Sequence, residues 1–149
     1  MNGSTLARAY QTQWERSRAL TLRYATSTPS ELYAYRPQPD LRTYGEHLIH
    51  IFESEQMIWR RFSELETTSH EGLFTSKDAV IAYLERVTSE TRGFMANLSN
   101  GQWEGLYLTF SGKQIPFFEM LLQQLDHEAH YRGQLAQYLR QNDLTPPEF

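Results

Sequence analysis

Two pairs of histidines at one spacing are the residues best suited to chemistry: His47 and His50 within EHLIHIFESEQMIW, and His127 and His130 within QLDHEAHYRGQLAQYLR. Residues three or four apart share a helix face, so each pair can turn two imidazoles toward one region of space. Neutral imidazole is the commonest metal ligand in proteins, and helical bundles build metal sites from i and i+3 residues on facing helices. If the two helices meet, their histidines can hold a metal ion. A catalytic centre would want about three protein ligands and an open position for water or substrate. Spacing alone is weak support, because HxxH arises by chance in helix-rich chains. Arg132, Gly133 and Gln134 follow the second pair at once. Arg132 is expected to pair with Glu128 at i−4, and Gly133, costing roughly 1 kcal/mol against alanine inside a helix, suggests close approach of another element.

The histidines must be carried by helices, and the pattern supplies four. Ser4 to Tyr24 places Leu6, Tyr10, Trp14, Ser17, Leu20 and Tyr24 at helical steps, with Arg8, Glu15, Arg16 and Arg18 mostly off the stripe. Thr26 to Asp40 holds three of the chain's six prolines and reads as an ordered connector. Thr43 to Phe62 opens with capping-box spacing, Thr43 to Glu46. After a polar linker, Thr75 and Asp78 suggest a cap for a third helix through Val80, Tyr83, Leu84, Val87, Thr91, Phe94, Met95 and Leu98, ended by Asn100 and Gly101. Gly101 to Ser111 reads as a loop with a short extended piece at Leu106 to Phe110. The fourth helix is expected from near Ser111, with Gln114 at capping-box spacing, to about Asn142, where Pro146 and Pro147 forbid more. This is an all-α chain, a four-helix bundle spanning residues 1–149 as one domain.

Periodicity also places the histidines. His47 flanks the apolar stripe of its helix, while His50 lies away from it beside Ser54 and Arg61. His127 lies opposite the stripe of Phe118, Leu121, Leu122, Leu125 and Ala129, sharing its face with Met120, Tyr131, Gln134 and Tyr138. They are thus expected to line a cleft beside the core. His70, in the polar linker, is expected at the surface. The aromatic stripes, including Trp14, Trp59 and Tyr83, are read as core.

Composition narrows the chemistry. The 149 residues are 40% hydrophobic, 21% charged and 13% aromatic, and none is cysteine. Disulfides and thiolate ligands are therefore excluded, and a metal must take imidazole, carboxylate, phenol or water. A formal net charge of −4 and no long basic run lower the prospect of nucleic-acid binding. No apolar stretch approaches the roughly 18 residues of a membrane span, and the N-terminus has no signal-peptide core. The expected setting is cytoplasmic.

The stretch HEAHYRGQ, its continuation LAQYLRQNDLTPPEF and the upstream EHLIHIFESEQMIW together resemble the DinB/YfiT-like family of small bacterial metalloenzymes, over nearly the whole chain. The resemblance implies a four-helix bundle, a homodimer and a divalent metal as cofactor, held by one histidine of the second helix and an i, i+4 histidine pair of the fourth. The second-helix ligand matches His50, and the first fourth-helix ligand matches His127. The partner position is Tyr131. Three outcomes stay open: His130 serves as the third ligand, Tyr131 ligates as a phenolate, or the site is dead. The expected metal ligands are His50, His127 and His130. Ligand type admits Zn, Ni, Mn or Fe. The implied activity is metal-dependent transfer, with a low-molecular-weight thiol as cosubstrate, or hydrolysis, with Glu46, Glu53 and Glu128 as nearby acid or base candidates. The alternative is a non-catalytic bundle that binds a small molecule or acts as a dimeric interaction module.

Overall fold

Four amphipathic stretches become four long helices in the computed structural model, which describes residues 3–70, 72 and 76–148. The first, α1, runs over Gly3–Ser27 and is followed by a 3-10 turn at Ser30–Ala34 that buries Tyr33. The second, α2, spans Tyr44–Ser63, and both bonds of the predicted capping box form: Glu46 N–H donates to the Thr43 hydroxyl, and Thr43 N–H to the Glu46 carboxylate. The third, α3, spans Lys77–Asn97, capped by Ser76, whose hydroxyl accepts from Ala79 N–H. The expected cap at Thr75 lies outside the described residues.

Two expectations at the far end of α3 are corrected. Asn100 and Gly101 do not end that helix. They begin a one-turn helix, α4 (Asn100–Trp103), capped by a second capping box between Ser99 and Gln102. The extended piece pairs as a hairpin, β1 (Leu106–Leu108) against β2 (Gln114–Pro116), with Tyr107 opposite Ile115. The last helix, α5, therefore starts at Phe117, not near Ser111, and runs to Arg140. Gln114 is spent on the strand ladder, and Pro116, lacking an N–H, stands at the junction where no donor is needed.

In the bundle α1 packs on α3 and α5, and α2 packs on the same two helices, so α1 and α2 occupy opposite corners. The core has two apolar clusters. One gathers Leu20, Tyr24, Tyr44, Leu48, Val87 and Leu135. The other gathers Tyr10, Trp14, Trp59, Met95, Phe117 and Leu121. Between them all four long helices contribute a buried polar layer: Arg18 and Thr21, Glu55, Thr88 and Thr91, and Gln124, Glu128 and Arg132.

Arg18 is thus not off the buried stripe but at its centre, fully buried. Its guanidinium donates to Glu55 at 2.5 Å, lies 3.6 Å from Glu128 and stacks 3.9 Å over the Phe52 ring. Burial pushes the Glu55 carboxyl upward, and Arg18 opposes that push. The core face of α5 is likewise not the apolar run through Leu122 and Ala129, which are exposed. It runs through Phe117, Leu121, Gln124, Glu128, Arg132, Leu135 and Leu139. The expected Arg132–Glu128 pair forms at 3.4 Å, with Arg132 also donating to the Ser17 and Thr21 hydroxyls. Nothing approaches the Cβ position of Gly133 within 4 Å, so no neighbouring element demands a glycine there.

Candidate functional site

The packing of α2 on α5 brings together one histidine from each pair. The rings of His50 and His127 lie 5.1 Å apart, centre to centre, and the Tyr131 ring lies 4.7 Å from each. Helix geometry explains the choice. At about 100° per residue, position 131 is displaced some 40° from 127, whereas position 130 swings about 60° to the other side. His130 is accordingly exposed, and its Nε2 lies 2.9 Å from the Gln134 side-chain amide nitrogen. Its ring touches Tyr131, not His50.

The imidazoles of the cleft are held neutral at pH 7. Burial, with the Arg42 guanidinium second, lowers His47 and His50 from 6.5 to about 4. Burial also lowers His127, assisted by His130. His47 is not free to ligate through Nε2. That atom lies 3.0 Å from the Tyr138 hydroxyl, which itself donates to the Arg42 carbonyl at 2.9 Å. The phenol can give its one proton to the carbonyl only if it accepts from His47, so Nε2 carries the hydrogen. His47 thereby ties the segment before α2 to α5.

Whether these residues suit a metal ion can be tested by distance. Two imidazoles on one tetrahedral ion, each with a metal–nitrogen bond of about 2 Å, have ring centres about 5 Å apart. The His50–His127 separation matches. His127 Nδ1 is moreover buried with no hydrogen-bond partner among the described residues. A phenolate on the same ion would hold its ring centre roughly 6 to 7 Å from each imidazole. At 4.7 Å the Tyr131 ring is packed against the imidazoles, and this arrangement does not put its oxygen on a shared ion. Among the described residues no three His, Cys, Asp or Glu side chains converge on one point. His50 and His127 are thus two imidazole donors, one short of the three protein ligands usual at a catalytic metal, and no further His, Cys, Asp or Glu joins them among the described residues.

The three carboxylates considered as acid or base are engaged elsewhere. Glu46 caps α2 and faces Arg36 at 3.7 Å, and Glu128 accepts from Thr21 inside the bundle. Glu53 pairs at 2.7 Å with His70, which is half-buried against the edge of Tyr83 and not at the surface as expected. Two contributors escaped sequence reasoning: His47 as a tether, and Arg42. Arg42 stands immediately before the Thr43 cap, and no local pattern reveals that this position overhangs the histidines.

The chain is a helical bundle in which one histidine from each of two facing helices meets beside the core. The profile of the DinB superfamily matches residues 13–135, and the chain belongs to that superfamily. Two solved structures share its fold. A DinB-like protein from Bacillus cereus ATCC 10987 superposes with a TM-score of 0.82 at 18% identity, covering 95% of this chain and 96% of its own. A DinB-like protein from Bacillus subtilis gives 0.67 at 20% identity, covering 89% and 90%. No curated protein matches the chain.

Proposed function

We propose that this chain is a metal-binding member of the DinB superfamily in which His50 and His127 hold one divalent ion, Zn, Ni, Mn or Fe, at the centre of a transferase or hydrolase site. The observation that carries the proposal is the pair of neutral imidazoles 5.1 Å apart on facing helices. A bound ion of this kind polarises an electrophile or lowers the pKa of a coordinated thiol or water. The chain's own residues do the rest. Tyr131 covers one side of the histidine pair and narrows the approach of solvent. The Glu128–Arg132 pair fixes the face that α5 turns to α1, and hence the face it turns to His50. His47 anchors the entry to α2 through Tyr138.

A second reading has one observation in its favour. Tyr131 stands where the resemblance places a third histidine and packs as a ring, which suits a bundle that has given up the metal and binds a small molecule in the cleft. Elemental analysis of untagged protein after reconstitution with Zn, Ni or Mn and desalting separates the two. About one ion per chain, lost in His127→Ala with the helical circular dichroism intact, supports the metal site. Metal content and thermal stability both unchanged in His127→Ala would sink it.

A further inference from the structure

Beside His50 the surface opens into a cavity of about 370 Å³. That is within the size range of small-molecule sites. His50 forms part of its wall, Leu41 and Ile49 give it an apolar side, and Arg36 and Arg42 bring two guanidinium groups. Those two cations are not equivalent. Arg36 is already engaged, lying 3.7 Å from the Glu46 carboxylate and donating to the Pro39 carbonyl at 3.3 Å. Arg42 forms no side-chain hydrogen bond or ion pair among the described residues.

The backbone of Arg42 is nevertheless held. Its carbonyl accepts from Tyr138, which is itself bonded to His47, and the next residue, Thr43, caps α2. A guanidinium rooted at a fixed point, without a partner among the described residues, and facing a cavity walled by His50 is arranged to receive an anion. The sign and number of the surrounding charges narrow which anion. Asp40, Glu46 and Glu53 also border the cavity. Arg36 and Glu46 offset one another, so Asp40 and Glu53 would oppose a dianion such as phosphate or sulfate about twice as strongly as a monoanion, with Arg42 as the lining cation that has no partner among the described residues. A carboxylate carries a single charge, matches the planar guanidinium with two parallel hydrogen bonds, and can lay a short apolar tail on Leu41 and Ile49.

We propose that the cavity beside His50 is a recognition site for a small monocarboxylate, with Arg42 as its binding residue. The proposal deepens the functional reading by naming the substrate class of that site and rests on it for the reaction, while carboxylate binding itself needs only the protein side chains.

The test is a titration of uniformly labelled, untagged, chelator-treated protein with sodium propionate, followed by amide chemical shifts of residues 41 to 50 at constant ionic strength. Neutral propionamide and sodium sulfate are the comparison probes. Saturable shifts with propionate, at least tenfold weaker effects with both comparison probes, and at least a tenfold loss of propionate affinity in Arg42→Gln are expected. Equal responses to propionate and propionamide overturn the proposal, as does sulfate binding as tightly as propionate, or an Arg42→Gln variant that binds propionate like the parent. Arg42 is exposed and outside the helices, so the variant should keep the parent melting temperature; if it does not fold, the three-probe comparison on the parent decides alone. The protein is metal-free throughout, so a lack of retained metal elsewhere leaves this outcome untouched.

Discussion

A helix turning about 100° per residue cannot offer positions 130 and 131 to the same neighbour, and that constraint governs the chemistry of α5. His130 faces outward to Gln134, while Tyr131 faces α2 and presses on both His50 and His127. The HxxH spacing drew attention to the right helices but not to the right partners, since the pair that meets takes one histidine from each. Only the packing of α2 on α5 reveals this, and no spacing within one helix encodes it. A direct consequence concerns Tyr131→His. It places a third imidazole on the face already shared by the other two, completing the three-ligand set usual in catalytic zinc sites. We expect the variant to bind Zn more tightly than the parent by an order of magnitude or more in competition with a chromophoric chelator. Equal affinities would show that the rings at positions 50 and 127 are not presented to a common ion.

Helices and caps were largely legible in the sequence because their signals are local. The Thr43–Glu46 box is a four-residue pattern, and both of its bonds form. The start of α5 was misjudged because Gln114 fits a cap as well as a strand, and strand pairing with β1 is decided by residues six to ten positions away. On α1 the stripe through Tyr10, Trp14, Leu20 and Tyr24 is buried as expected and only Arg18 was misplaced, whereas the buried face of α5 was misassigned; both misses have a different reason. Hydrophobic periodicity assumes that core positions are apolar, yet here Arg18, Glu55, Glu128 and Arg132 lie inside, tolerated because each is buried against opposite charge. Arg18 holds this layer together, touching Glu55 from α2 and Glu128 from α5 at once. Arg18→Met keeps the approximate volume and removes the charge, leaving the buried Glu55 carboxylate without its counter-ion and Glu128 with Arg132 alone. It should cost on the order of 3 to 5 kcal/mol in urea unfolding. The exposed Arg92–Glu15 pair sets the contrast, since Arg92→Ala should cost less than about 1 kcal/mol in the same measurement. Comparable losses for the two would mean that the interior layer is not ionic.

At the scale of the whole molecule, the neutral histidines of the α2–α5 cleft couple the fold to pH. His47 and His50 have an ordinary value of 6.5 and a folded value of about 4. Between these limits the unfolded chain binds protons that the folded chain refuses, so stability must fall as pH drops from about 6.5 toward 4 and must be level with respect to these groups above about 7. For His47, only 3% exposed, the full depression corresponds to on the order of 3 kcal/mol. Glu55 acts with the opposite sign. Its raised carboxyl favours the folded state in acid, taking up a proton as the pH falls, and so opposes the loss from the histidines. Glu15, lowered by its hydrogen bond from Arg92, adds a loss only below its ordinary value of 4.5. Urea midpoints measured at intervals from pH 8 to pH 4.5 should therefore stay constant down to about 7 and then decline. His47→Gln should begin from a lower midpoint at pH 7, having lost the imidazole bonded to Tyr138, and decline less steeply, because one of the refused protons is gone. A parent curve that is flat between pH 7 and 5 would mean the cleft admits water freely enough to charge its histidines, and a cleft that wet would not keep His50 and His127 neutral for a metal ion below pH 6.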